Sequence, residues 1–157
     1  MIEIVEGRET DIALIGALLC DDDLRELSCT RDTSDFPRLA RDAADSHYCK
    51  VALDHGRPVM AFGAKRFPAL LDPGIAFVWA FKTDLGWRAA RTVTKHIRRI
   101  MIPALRADGI DRAACFVHRE NGLSCRWLAH LGFTPKATLP GFGTPHRDLI
   151  LYMRDDA

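Results

Sequence analysis

The chain of 157 residues (17.6 kDa) is 48% hydrophobic and 27% charged, with a formal charge of +1. This is the make-up of one ordinary folded domain, residues 1–157 as a single unit, and it excludes a mainly disordered chain. The longest apolar runs, such as 12–20 and 74–81, fall short of the ~20 residues of a spanning helix. The opening residues read as a strand rather than a signal peptide, so a cytoplasmic protein with no membrane contact is expected.

Ile2, Ile4 and Val5 alternate with Glu3 and Glu6 as in a half-buried strand, and Gly7 ends it. Thr10-Asp11 then opens a helix carrying Ile12, Leu14, Ile15, Leu18 and Leu19. An acidic break, Asp21-Asp22-Asp23, precedes a short second helix with Leu24 and Leu27, and Phe36, Leu39, Ala40 and Ala43 predict a third. Strands at 48–53 and 59–64 flank a tight turn containing Gly56 and Pro58. A second turn at Asp72-Pro73-Gly74 leads to a buried strand at 75–81.

The longest helix is predicted over about 86–108, with Val93, Ile97, Ile100, Met101 and Leu105 as its apolar stripe. Pro103 predicts a kink or short break near Met101. The next strand, 112–117, follows a long helical crossover, so it should lie parallel to the strand at 75–81. A helix over 123–131 stops at Gly132, a sixth strand begins at Phe133, and the loop 140–145 leads to a last strand at 149–153.

Five cysteines form no Cys-x-x-Cys pair and are read as reduced; Cys125, near a helix start, has the most reactive setting. Six histidines contain no metal-ligand pattern, so no metal is expected. Charge is uneven, at +5 over residues 82–112 and −4 over 20–46. The basic stretch reads from charge alone first as a solvated helix face, and it also suits an anion such as a phosphorylated cofactor. Nucleic-acid binding is not expected, because surface aromatics are scarce there and net charge is near zero.

The order of elements, with Asn121-Gly122-Leu123-Ser124-Cys125-Arg126-Trp127-Leu128-Ala129-His130-Leu131-Gly132-Phe133, resembles the GNAT superfamily of N-acetyltransferases. The resemblance implies an α/β (α+β) fold, a mixed, mostly antiparallel sheet of six to seven strands flanked by about four helices. It also implies acetyl-CoA (CoA) as cofactor and a small-molecule or protein amine as acceptor. The acetyl group would pass to a primary amine by direct transfer, in a homodimer if the exposed final strand pairs between copies. Asn121 and Ser124 become cofactor-side residues by resemblance, although Asn121 also suits a helix cap.

The sequence departs from the family pattern in the loop after the fourth strand. With Arg88 in the usual Arg/Gln place, Arg91 and Val93 stand where small residues cradle pyrophosphate. Asp84 would cap the helix there, and Phe81, Lys82, Thr83, Trp87, Arg88 and Arg91 make up the cofactor side implied by the resemblance. Leu128 replaces the tyrosine that commonly protonates the departing thiolate. Candidates for proton transfer are His118, Glu120 and a Lys82/Asp84 pair across the split, with His118 also readable as an ordinary loop histidine. Val78-Trp79, Gly86-Trp87-Arg88 and Arg126-Trp127-Leu128 look like acetyltransferase-like proteins of tailed phages. That implies a catalytically degenerate alternative, a virion or protein-binding component.

Overall fold

A computed structural model describes residues 1–30, 35–66, 74–141 and 147–155. The expected turn residues Asp72 and Pro73, and most of the loop 140–145, lie outside the described residues. Among those described, seven strands form one sheet in the order β1-β2-β3-β4-β5-β7-β6. They are β1 (Ile2–Glu6), β2 (Tyr48–Asp54), β3 (Arg57–Arg66), β4 (Ile75–Lys82), β5 (Arg112–His118), β6 (Thr134–Leu139) and β7 (Leu149–Asp155). Every neighbouring pair is antiparallel except β4 with β5, which is parallel as the intervening helix requires. This is the mixed α/β architecture expected from the sequence.

Period-two alternation sorts the strands into two faces. Ala52, Phe62, Ala76, Ala113, Cys115 and Val117 pack with the long helix and α6 (Gly122–His130). Val51, Ala61 and Phe81 pack on the other face with α1 (Glu9–Ala17) and α3 (Phe36–Ala44). The acidic run Asp21-Asp22-Asp23 is no break: it is the first turn of α2 (Asp21–Thr30), where carboxylates offset the positive helix end. Pro58 lies inside β3, and the turn before it is made by His55 and Gly56, both with positive φ, the backbone a two-residue hairpin needs.

The long helix begins as a 3-10 turn at Gly86–Arg88, continues as α4 (Ala90–His96), widens to a π-turn at Ile97–Met101 and resumes as α5 (Ile102–Ala107). The π-turn lies where Pro103, in the first turn of α5, withholds a backbone donor. It also corrects the expected stripe. Val93, Ile97, Met101 and Leu105 are buried at four-residue intervals, Ile102 joins them, and Ile100 is exposed. An ideal helix would drift about 120° over three such steps; the wider turn takes up the drift. The final strand β7 is interior, between β5 and β6, so the expected pairing of copies through it does not apply. The edge strand β6 carries Pro135 and Lys136, residues that discourage edge pairing.

Candidate functional site

β4 and β5 share only three register pairs, Ile75–Phe77 with Arg112–Ala114. Beyond them β4 stays with β3 as far as Lys82 and β5 stays with β7 as far as His118, so the facing edges diverge. A cavity of about 1070 Å³ runs through this gap. It is lined from one face of the sheet by Leu39, Trp79 and Phe81 and from the other by Val78, Cys115 and Leu128. That volume is at the upper end of pockets for small molecules and cofactors.

Helix α2 spans the open end of the gap. Asp23 and Glu26 are one turn apart, and each holds one of the diverging strands. The Asp23 carboxylate accepts the Lys82 ammonium at 2.8 Å and the Lys82 backbone N–H at 2.7 Å. The Lys82 carbonyl accepts the Cys20 N–H at 3.0 Å. Both side chains of this ion pair are buried. Burial alone would lower the Lys82 pKa, but the Asp23 carboxylate overrides it and raises it. The indole of Trp87 lies 4.4 Å from the same ammonium, a cation–π contact.

Glu26 holds the other strand. Its Oε2 accepts the Asn121 side-chain N–H at 3.0 Å and the His118 backbone N–H at 3.2 Å. Burial pushes its carboxyl up to about 7, against the lowering effect of those two hydrogen bonds. Glu26 is not among the candidate residues read from the sequence, where its segment stands out only as part of the net −4 over residues 20–46. The available signal was the recurrence Asp23, Glu26, Leu27, which puts polar and apolar residues on one inward stripe of α2.

Asn121 has the capping role open to it: its Oδ1 accepts the Ser124 N–H at 3.2 Å and starts α6. Ser124 itself lines the cavity, as does buried Leu128. His118 is buried at the end of β5, so it is not an exposed loop residue. Glu120 points to solvent and pairs with Arg147 at 3.8 Å. Asp84 is exposed on the turn after β4. The expected Lys82/Asp84 pair is not formed, because Asp23 supplies the buried partner. Nor does Asp84 cap the helix: the 3-10 turn is preceded by Leu85 and has no side-chain cap.

The turn after β4 differs from a backbone phosphate cradle. The N–H groups of Gly86, Arg88 and Ala89 bond the carbonyls of Thr83, Leu85 and Gly86. Gly86 is needed for packing, since a Cβ there would sit 2.4 Å from the Lys82 Cβ and 2.8 Å from the Val59 carbonyl oxygen. Thr83 is buried and donates its N–H to that same carbonyl. Positive charge is instead presented by side chains: Arg88, 3.6 Å from Asp54, with Arg91 and Lys95 exposed along the helix. Trp87 is partly exposed between Lys82 and this basic row.

No family model and no curated protein matches the chain. Solved structures do. An acetyltransferase of the GNAT family from Streptococcus pneumoniae matches with TM-score 0.70 at 12% identity, covering 100% of both chains. YncA from Salmonella typhimurium, solved with its cofactor acetyl-CoA, matches with TM-score 0.72 at 17% identity, over 100% of this chain and 95% of that one. A ribosomal-protein-alanine N-acetyltransferase from Brucella melitensis matches with TM-score 0.71 at 15% identity, over 98% of this chain and 99% of that one. Parallel β4 and β5 that part after three residue pairs, in a seven-stranded mixed sheet, thus belong to a chain with the GNAT acetyltransferase fold.

Proposed function

We propose that the protein is an acetyl-CoA-dependent N-acetyltransferase that moves an acetyl group to a primary amine by direct transfer. The observation that carries this reading is the gap between β4 and β5 with a cavity passing through it. Alternation along β4 gives Val78 and Ala80 the same gap-facing edge as Lys82, whose N–H is already committed to Asp23. That edge suits an extended, amide-bearing arm, which adds to a sheet as a strand does. Phe81, Lys82, Thr83 and Ser124 would hold the arm, with Asn121 behind Ser124. Trp87, Arg88 and Arg91 would hold the phosphates through side chains, in which the guanidinium fork replaces the missing backbone cradle. The bound cofactor supplies a thioester-activated acetyl group.

Of the residues read from the sequence for proton transfer, His118 is buried and meets the Glu26 carboxylate through its backbone N–H, not its imidazole. Glu120 and Asp84 face solvent. The acceptor is a small-molecule or protein amine, as in the ribosomal-protein enzyme from Brucella melitensis.

A second reading, a catalytically degenerate scaffold that binds a protein or serves in a phage virion, is favoured by the spent N–H groups of the 3-10 turn and by Leu128. The structures named above are bacterial and lend the phage resemblance no support. Calorimetric titration with acetyl-CoA beside a thermal melt separates the two readings, since a ligand of the folded state alone raises its stability. Micromolar binding weakened by Asn121→Ala is expected. No binding at millimolar acetyl-CoA would leave the scaffold reading.

A further inference from the structure

We propose that Glu26 is the proton acceptor of an amine site on the α2–α3 side of the cavity, and that the acceptor is a primary amine carried on an apolar, aromatic body. The inference rests on the acetyltransferase reading and deepens it. Glu26 lines the cavity, and both of its hydrogen bonds from the β5–α6 corner fall on Oε2. Among the described residues no hydrogen bond falls on Oε1, which is open to a ligand in a carboxylate already oriented by fixed donors.

The cavity lining includes Asp35, Arg38 and Asp42 and, with them, an apolar floor. Leu27 and Leu39 line the same cavity, and the rings of Trp79 and Phe81 are stacked with centroids 5.3 Å apart and planes at 22°. An aromatic amine can lay its ring on that floor and direct its nitrogen to the carboxylate. The charged and titratable groups facing Glu26 are Asp23 on its own helix, Lys82 on β4, and His118 and Cys115 on β5. Asp23 and Lys82 are paired with each other, and among the described residues no ion pair is formed by Glu26. Its carboxyl ionises at about 7, where a base both accepts a proton and releases it again.

One proton passes from the ammonium nitrogen to Oε1 and frees the nitrogen lone pair. After the C–N bond forms and the C–S bond breaks, the second nitrogen proton passes to sulfur. The products are amide and thiol, and Glu26 returns its proton to solvent.

Phenethylamine is the probe. Calorimetric titration at pH 7, in two buffers of different ionisation heat, should show binding with proton release, because the bound ammonium favours ionised Glu26. At pH 9, with the carboxylate already ionised, the release should vanish. In Glu26→Gln, affinity should fall about tenfold and the proton release should be absent. That variant should still bind acetyl-CoA as the parent does, and acetyl transfer to phenethylamine should drop roughly 100-fold. Unchanged amine affinity and turnover in Glu26→Gln, or an amine that does not bind the parent chain, overturns the inference while acetyl-CoA binding stands. Failure of the parent chain to bind acetyl-CoA overturns the acetyltransferase reading instead. Should Glu26→Gln not fold, the parent's proton release at pH 7 against pH 9 decides.

Discussion

Asp23 on α2 and Lys82 at the end of β4 are joined twice, since one carboxylate takes both the ammonium and the backbone N–H of the same residue. The double attachment fixes the helix by its side chain to a strand edge that has lost its neighbouring strand. Glu26 does the same for β5 one turn later. The α2 helix is thereby a strut across the open end of the sheet.

Removing the charge of one partner should be costly. Asp23→Asn keeps an acceptor for the Lys82 N–H but leaves the buried ammonium unpaired, a loss of about 3–5 kcal/mol. The double variant Asp23→Asn with Lys82→Met should recover most of that loss, as no charge is then stranded. Urea unfolding of the two single variants and the pair gives the coupling directly; additive losses would show that the two side chains act independently.

Gly86 tests whether the turn after β4 is built for packing. Gly86→Ala puts a methyl group against the Lys82 Cβ and the Val59 carbonyl, and should destabilise the fold by roughly 1–3 kcal/mol. A thermal melt without any ligand is sufficient. An unchanged melting temperature would mean that the turn relaxes freely around the added carbon.

Glu26 gives stability a distinct pH dependence. Its folded carboxyl ionises at about 7, above the ordinary 4.5. Below both values it is protonated in either state. Between them the folded chain keeps a proton that the unfolded chain releases, so stability falls as pH rises through this window and levels off above it. The contribution is roughly 3 kcal/mol at most, from the size of that shift. The difference in unfolding free energy between the parent and Glu26→Gln, measured from pH 5 to 8, should show this fall. A flat difference would mean that Glu26 is as well hydrated as a surface carboxylate.

Asn121 sits in both networks. Asn121→Ala removes the α6 cap, worth about 0.5–2 kcal/mol, and one of the two hydrogen bonds that hold down the Glu26 carboxyl. The pH window of the preceding comparison should therefore extend upward in this variant. A window that stays in place would show that His118 N–H alone orients Glu26.

Much of the architecture was legible because its signals are local. Pro103 announced the irregularity in the long helix, and the length of the crossover announced the parallel strand. The exposure of Ile100 was not legible, because a 3.6-residue period has no means of anticipating a wider turn. The site was harder for a related reason. Lys82 meets a residue 59 positions away, and Glu26 meets partners 92 and 95 positions away. No spacing rule connects such positions; only the packing of α2 on the sheet does. Asn121 was read from its motif, but its partner on α2 was not.

The narrow seam between β4 and β5 bears on how the chain folds. Strands β1 to β4 meet through sequential neighbours apart from the α1–α3 excursion, whereas β5 finds β4 only after the long crossover and is secured by three register pairs. Non-local contacts carry the larger loop-closure cost and form late. Assembly should then proceed in two stages, with the β2–β4 meander ahead of β5–β7. Pulsed hydrogen exchange during refolding should find amides of β3 protected before those of β7, and simultaneous protection would mean that the seam forms as part of a single nucleus.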